Sequence, residues 1–258
     1  YSKRPDNQKK TKAMNTKAFK LKIILLASVV ICAFNSRAQT IEKSREVVRS
    51  FKVEGQTEIE VINKYGNIHL IPWDEDSVRF EISLTVKGKK ESKVEKNFEY
   101  IDFEFKANQY YVIAQTVFQG QGSFWSDVTD LANSLFSSTT ATTIDYTVYF
   151  PQKNELKIEN KFGNIYTTDH TAKVEIDLSN GDLKAHAFRG DSRIRVEFGN
   201  ANSDEVDRGR LIMNYAELTV EKGAFLDIES KSSKIRIQEA GDLTIESRRD
   251  RFNIRSLH

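Results

Sequence analysis

Two segments of this chain that lie far apart are nearly identical in sequence, and this repetition constrains the fold more than any other feature. Val61–Ile68 reads VINKYGNI and Ile158–Ile165 reads IENKFGNI. Weaker copies follow, each centred on a small or turn-forming anchor residue, with apolar residues five and seven positions before it and two after it. Such a period is typical of stacked repeats. The anchors are Gly66, Gly163, Gly181, Ala201, Ala216, Ser233 and Asp250, and their spacings from Gly163 onward are 18, 20, 15, 17 and 17 residues.

The residues between these apolar columns are polar, so the pattern alternates as in a β-strand with one buried face. A unit of 15–20 residues is too short to bury that face alone and must stack on its neighbours. A small residue at each anchor lets the chain turn tightly. We therefore predict an all-β fold, a parallel β-solenoid with short coils. An antiparallel sandwich with hairpins at similar spacing is the alternative.

The repeats divide the chain after residue 38 into three parts. A first solenoid or β segment spans 39–86, an insertion spans 87–147, and the solenoid repeats occupy 148–258. The last repeat ends at His258 without the polar cap that solenoids need, so we expect a truncation at the carboxyl end.

The insertion contains several different patterns. The charged run 87–97 is compatible with a short helix or a helical turn, and 98–118 alternates between apolar and polar residues, as in a hairpin. Apolar residues between 124 and 136 share one helical face, which predicts a short amphipathic helix there. A Ser/Thr-rich linker over 137–143 then leads back to the solenoid.

The amino-terminal region has the pattern of a secretory signal peptide. Met14 is the expected start, and residues 1–13 are an upstream extension or a remnant. Residues 14–38 contain a basic head, an apolar run and the small residues Ser36 and Ala38 before a cleavage site. The apolar run is shorter than the roughly 20 residues of a spanning helix, which argues against an uncleaved anchor.

Charge and cysteine content limit the function further. Residues 1–38 carry a net charge of +8 within a chain of +2, so the mature part is acidic, at −6. An acidic mature chain argues against binding to nucleic acid. Cys32 is the single cysteine and lies within the signal peptide, so the mature part has neither a disulfide nor thiol chemistry.

Several of these segments resemble a known family. Val148–Pro151 followed by Leu156–Ile165, and then the repeat core Asn180–Leu183, resemble a bacterial domain-of-unknown-function family of β-strand-repeat candidate adhesins. In that family a V-x-x-P strand opens a run of G-D/N-I repeats. The later copies depart from the pattern, at Tyr215–Leu218 and at Ser232–Ile235.

The resemblance extends over about residues 40–258 and implies an envelope protein with an adhesin-like role and no catalytic residues. We therefore expect an exported cell-envelope interaction protein, located in the periplasm, in the envelope or outside the cell, without catalytic activity or a cofactor. Its expected partner is a protein or an envelope glycan. The alternatives are a periplasmic envelope-stress or signalling accessory protein, and a polysaccharide-active β-helix enzyme.

One outward-facing column contains a candidate binding site. Four residues before successive anchors stand Glu159, Asp177 and Glu197. Stacked carboxylates repel one another unless they are paired, so this column could bind a divalent cation or a cationic ligand. The alternative is a solvent-exposed face with alternating charges that keeps the sheet soluble.

The predicted helix near 124–136 contains a second candidate. Phe124 and Trp125 add apolar surface to it, either for docking a partner or for capping the solenoid. The histidines His69, His170 and His186 stand at different distances from their anchors, so we predict no metal site.

Overall fold

The computed structural model describes residues 40–119 and 140–258. Within them the chain is nearly all β, with one short helix and stacked parallel coils that form a β-solenoid of about six turns, which confirms the predicted fold class. In chain order the elements are β1 (Ile41–Lys52), β2 (Glu58–Lys64), β3 (Ile68–Trp73), β4 (Ser77–Gly88), α1 (Glu91–Tyr100), β5 (Ile101–Ala107), β6 (Tyr111–Phe118), β7 (Thr140–Pro151), β8 (Leu156–Lys161), β9 (Ile165–Thr167), β10 (Asp169–His170), β11 (Val174–Ser179), β12 (Leu183–Glu197), β13 (Asn200–Asn214), β14 (Glu217–Lys231), β15 (Lys234–Arg248) and β16 (Arg251–Leu257).

Like residues of successive coils lie directly above one another and form the core. The two best copies of the repeat are neighbours, because β2 and β8 pair in parallel with Val61 opposite Ile158. Alternate residues are buried in strands such as β2, β4 and β8, as expected for a sheet that covers one apolar interior. The column five residues before the anchors consists of Val61, Ile158, Ile176, Ile194, Leu211, Ile228 and Ile245.

The predicted position of one anchor among the repeats is wrong. The structure places Leu183 opposite Ala201 and Ala201 opposite Leu218, so Ala201 lies two positions after its anchor, which is Gly199. The spacings from Gly163 onward are therefore 18, 18, 17, 17 and 17 residues. The error arose because a slip of two residues keeps every side chain on the same face of a strand, so the apolar pattern cannot detect it.

Each tight turn places its residue of left-handed conformation immediately before the anchor, with φ between 51° and 69°. The anchor glycines have a different role from the one expected, because they allow close approach between coils. A Cβ on Gly163 would lie 1.9 Å from the carbonyl oxygen of Gly66, and one on Gly181 would lie 2.0 Å from that of Gly163. The left-handed residues are Tyr65, Phe162, Asn180, Phe198, Tyr215, Ser232 and Arg249.

The amino-terminal side of the solenoid differs from a simple stack. Strand β6 pairs in parallel with β2, and β7 pairs in parallel with β3. Strands β6 and β7 therefore form a layer that lies before the first repeat in the stack, although both strands follow that repeat in the sequence. Antiparallel strands continue the sheet on that side, with β4 on β7, β1 on β4 and β5 on β6. These strands provide the layer beyond the first parallel coil.

The structure also shows where the predicted insertion differs from its pattern. Its hairpin is present as β5 and β6, and the charged run 87–97 contains most of α1, which ends at Tyr100. Strand β7 begins at Thr140, so 140–143 belong to the sheet rather than to a linker, because their alternate side chains are buried. The predicted helix near 124–136 and the predicted signal peptide 14–38 lie outside the described residues.

Candidate functional site

The tight turns stack along one side of the solenoid and present aromatic side chains to solvent. We call this side the turn edge and define it by the seven left-handed residues. The exposed fractions of Phe162, Phe198 and Tyr215 are 49%, 57% and 49%, which is high for aromatic side chains. Phe162 stacks on the partly buried Tyr65, with a centroid distance of 5.3 Å, and Tyr215 stacks on Phe198 at the same distance. Asn180 separates the two pairs.

The backbone beneath this edge is held by a ladder of side-chain hydrogen bonds. Residues directly after the anchors use their Oδ1 atoms to accept a hydrogen bond from the equivalent backbone N–H of the next coil. Asn67 accepts from Asn164 at 2.9 Å, Asn164 from Asp182 at 2.8 Å, and Asp182 from Asn200 at 2.9 Å. These bonds fix the position of each turn relative to the next one.

Buried asparagines hold the turns from the inside. The Asn160 side chain donates to the carbonyl oxygens of Gly66 and Gly163, both at 3.0 Å. Asn63 donates to the Ile144 carbonyl at 2.9 Å and accepts a hydrogen bond from the Thr116 hydroxyl. Because buried polar groups that are hydrogen-bonded specify one geometry, the exposed rings rest on a rigid support.

The turn edge becomes basic and concave towards its carboxyl-terminal coils. A groove of about 570 Å³ lies there. Tyr215 forms part of its wall, and the Lys231 ammonium lies 5.6 Å from the centroid of that ring. The groove is lined by Gly199, Asn200, Tyr215, Ala216, Glu217, Ser232, Ser233, Lys234, Arg249 and Arg251.

The predicted carboxylate column is only partly assembled. Asp177 lies opposite Glu159 on one side and opposite Arg195 on the other, so Arg195 takes the position assigned to Glu197. Glu197 instead lies opposite Ser179 and accepts a hydrogen bond from Asn214 at 3.1 Å. Burial raises the pKa of both Glu159 and Asp177, although Lys157 and Arg195 oppose that rise.

The outward face of the same sheet carries ion pairs along its ladders. Lys157 bridges to Glu60 at 2.7 Å and lies 3.9 Å from Glu159. Further along, Arg193 pairs with Glu175 at 3.6 Å. This arrangement matches the alternative interpretation of the column, a face with alternating charges. Arg195 pairs with Asp177, and Arg210 pairs with both Asp227 and Glu229.

The histidines lie in three different environments. His69 is exposed and stacks on Tyr166, whereas His170 is buried against Phe150. His186 is exposed and forms a short contact with Asp169, which raises the pKa of His186. Among residues 40–119 and 140–258, no three His, Cys, Asp or Glu side chains converge to form a metal site.

The turn edge was not predicted, although the sequence contains a signal for it. An aromatic residue stands directly before the anchor in four coils, at Tyr65, Phe162, Phe198 and Tyr215. Placing the fourth anchor at Ala201 removed Phe198 from that column and hid the pattern. The other predicted binding residues, Phe124 and Trp125, lie outside the described part of the chain.

The fold defines the chain as a β-strand-repeat solenoid. Solved structures with similarity to it include a candidate cell-adhesion protein from Clostridium sporogenes (10% identity, 84% of this chain, 100% of that chain, TM-score 0.30). A candidate adhesin from Bacteroides fragilis is also similar (12% identity, 83% of this chain, 97% of that chain, TM-score 0.31). So is a candidate lipid-binding protein from Parabacteroides distasonis (12% identity, 83% of this chain, 93% of that chain, TM-score 0.31).

These identities and TM-scores are too low to support an argument about function. No protein-family model and no curated protein matches the chain. Within residues 40–119 and 140–258, no helix is long and apolar enough to cross a membrane.

Proposed function

We propose that this chain is an exported, adhesin-like protein of the cell envelope, without catalytic activity, that binds its partner through the turn edge. The observation that supports this proposal best is the exposure of Phe162, Phe198 and Tyr215 in one column. Exposed apolar groups that cluster on one side of a protein mark interaction sites more often than scattered ones do.

The rigidity of this edge favours binding. Phe162 and Phe198 each stack on a neighbouring ring, and hydrogen bonds at Asn164 and Asn200 fix the backbone beneath them. Side chains that are ordered before binding lose little conformational entropy when a partner arrives. A column of fixed aromatic rings along the stacked coils therefore suits an extended partner such as a glycan chain or a protein strand.

The proposal that the protein is not an enzyme rests on the distribution of its charged groups. Hydrolysis of a glycan needs two carboxyl groups that converge on a bound substrate. Glu159 and Asp177 are neighbours, but each has a basic side chain close by, at Lys157 and Arg195. They lie on a sheet face with alternating charges, away from the groove beside Tyr215.

Export is proposed from the signal peptide predicted over 14–38. A periplasmic accessory protein in signalling would have the same leader, so the identity of the partner separates this alternative from an adhesin. Cell fractionation of the full chain tests the location directly. Recovery of the chain in the cytoplasm with residues 14–38 intact would contradict the proposal.

Capture of a partner from envelope extract by the mature chain tests the binding surface. The test variant replaces Phe162, Phe198 and Tyr215 by asparagine, the residue that the column already contains at Asn180 with φ 57°. We expect this variant to lose the partner that the unmodified chain retains. Its matched control carries three asparagines at the exposed aromatic residues Tyr110, Tyr111 and Phe225, and should retain it.

The same capture experiment also tests the binding element predicted from Phe124 and Trp125. A variant that lacks 120–137 should still capture the partner if the turn edge is the binding surface. If the deletion abolishes capture and the asparagine variant does not, the inserted segment is the docking element and the turn edge is not.

A further inference from the structure

The column of the turn edge changes character at its carboxyl-terminal end. Tyr215, Ser232 and Arg249 occupy the same position in three successive coils, each in left-handed conformation. Coils are about 4.8 Å apart, so Tyr215 and Arg249 flank a slot roughly 10 Å wide between backbone positions, with the small side chain of Ser232 at its floor. All three residues line the groove described above.

Among the residues that the structure describes, one ring, that of Phe198, covers one face of Tyr215. Phe198 stacks on it from the preceding coil, with an angle of 6° between the ring planes. The following coil offers Ser232 instead of an aromatic residue, and the ammonium of its Lys231 lies 5.6 Å from the centroid of the Tyr215 ring. A flat, weakly polar group of ring size can therefore continue the stack by displacing the flexible Lys231 side chain, whose ammonium adds to the positive charge beside the slot.

The opposite wall and the flank of the slot are positively charged. Neither the Arg249 nor the Arg251 side chain has an ion-pair partner among the described residues, and Lys234 lies 3.5 Å from Glu217. Asp250 lies between the two arginines in sequence, but its carboxylate accepts hydrogen bonds from the Ser233 amide at 2.6 Å and from the Ser230 hydroxyl at 2.9 Å. The two guanidinium groups are therefore available to an anion.

We propose that this slot binds one carboxylated sugar unit of an acidic glycan, which rests on the proposed function and specifies the chemistry of its partner. The apolar face of the sugar ring stacks on Tyr215. The carboxylate receives charge-assisted hydrogen bonds from Arg249 and Arg251, since a guanidinium matches a carboxylate in geometry. The hydroxyl of Ser232 and the side-chain carbonyl of Asn200, whose Nδ2 donates to Asp182, provide polar partners for sugar hydroxyls.

The shape of the edge favours a glycan over a membrane surface. The slot is concave and one side chain wide, and polar residues interrupt the aromatic column at Asn180 and Ser232. A membrane-binding surface needs apolar groups that insert together, with basic residues around them. A sugar chain instead meets one coil after another and can continue from Tyr215 towards Phe198 and Phe162.

The test is an isothermal titration calorimetry experiment in which an oligogalacturonate is added to the mature chain. Its methyl ester is the matched probe, because it retains the sugar rings and lacks the charge. We expect the acid to bind with an affinity that falls as the salt concentration rises. The affinity of the ester should be at least about tenfold lower, because the ester cannot form the charge-assisted contacts. Equal binding of acid and ester, or saturable binding of neither, would overturn the proposal.

Variants then locate the site. Tyr215→Asn and Arg249→Asn should each weaken binding of the acid about tenfold, because asparagine tolerates the left-handed backbone. Ser232→Phe should abolish binding while retaining the fold, since a ring at this position extends the stack and fills the slot. The controls are Phe225→Asn and Arg208→Gln. These two residues are exposed elsewhere on the surface, where the Arg208 Cζ lies 5.9 Å from the centroid of the Phe225 ring.

The outcomes separate this proposal from the one on which it rests. If the acid binds and the slot variants bind it equally well, the slot is not the site. If vesicles of phosphatidylglycerol bind through Tyr215 and Arg249 while the oligosaccharide does not, the ligand is a lipid surface and the glycan assignment is wrong. In either case the turn edge remains the binding surface only if the asparagine variant at Phe162, Phe198 and Tyr215 still fails to capture an envelope partner.

Discussion

The carbonyl oxygen of Gly181 lies so close to Gly199 that a Cβ at position 199 would be 1.8 Å from it. The atom that blocks the Cβ belongs to the backbone of the neighbouring coil, so it cannot move aside as a side chain could. The same relationship joins Gly163 to Gly66. These glycines therefore determine how closely the coils stack beneath the turn edge.

Replacing Gly199 by alanine should consequently destabilise the fold. We expect the free energy of unfolding to fall by at least about 2 kcal/mol, as for an overpacked interior. Urea denaturation measures it, with Gly55→Ala as the control, because the one atom near a Cβ there is the Lys153 Cδ at 3.9 Å. Equal effects of the two substitutions would show that the coils do not approach each other in this way.

The buried amide of Asn160 should contribute to stability through the two turn carbonyls that it binds. Asn160→Ala leaves the carbonyls of Gly66 and Gly163 without this donor. The expected loss is about 2 kcal/mol, since an unsatisfied buried polar group costs about 1–3 kcal/mol. Asn202 is exposed, so Asn202→Ala should change the free energy of unfolding by less than about 0.5 kcal/mol.

His170 should make the fold less stable in mild acid. Burial lowers its pKa from the ordinary value of 6.5 to about 4. As the pH falls below 6.5, the unfolded chain binds a proton at this imidazole while the folded chain does not, so the free energy of unfolding decreases until about pH 4. The separation of the two pKa values corresponds to about 3 kcal/mol in all.

The variant His170→Gln removes this titration, and its stability should depend less steeply on pH between 6.5 and 4. Urea denaturation across that range measures both slopes. Carboxylates that titrate near pH 4 act on both proteins, so the difference between the slopes isolates the histidine. If the two slopes are the same, His170 is not neutral and buried in the folded chain.

Arg195 should be the residue that keeps the carboxylate column stable. Its replacement by glutamate would place a third carboxylate in line with Glu159 and Asp177. We expect a loss of about 1 kcal/mol at low salt, because like charges directly opposite in a sheet repel, and a smaller loss at high salt. Thermal unfolding of Arg195→Glu beside Arg195→Gln at two salt concentrations separates repulsion from the loss of the ion pair.

The sequence predicted the solenoid and its core because stacking repeats the same residue type at each inward position. Val61 and Ile158 align in the sequence and are opposite each other in the sheet. The register was wrong at one coil, since a period-two pattern is unchanged by a slip of two residues. The turn distinguishes the two registers, through the left-handed Phe198 and through Gly199–Asn200, which repeats the Gly-Asn pairs of the earlier turns.

The order of the first coils could not be predicted from the sequence. Strand β7 pairs with β3 through Tyr146 and Ile68, which are far apart in the chain, and no local pattern encodes that choice. The candidate site was missed for a related reason. Tyr215 and Arg249 are ordinary surface residues when each is considered alone, and they form a slot only because one coil, which carries Ser232, lies between them in the stack.

The central claim is that the turn edge is the surface that binds the envelope partner. Hydroxyl-radical footprinting of the mature chain, with and without the captured partner, tests it most directly. The account predicts that oxidation of Phe162, Phe198 and Tyr215 decreases in the complex while that of Phe225 and Tyr110 is unchanged. Protection of Phe225 or Tyr110, with the three turn-edge residues still oxidised as in the free chain, would contradict it.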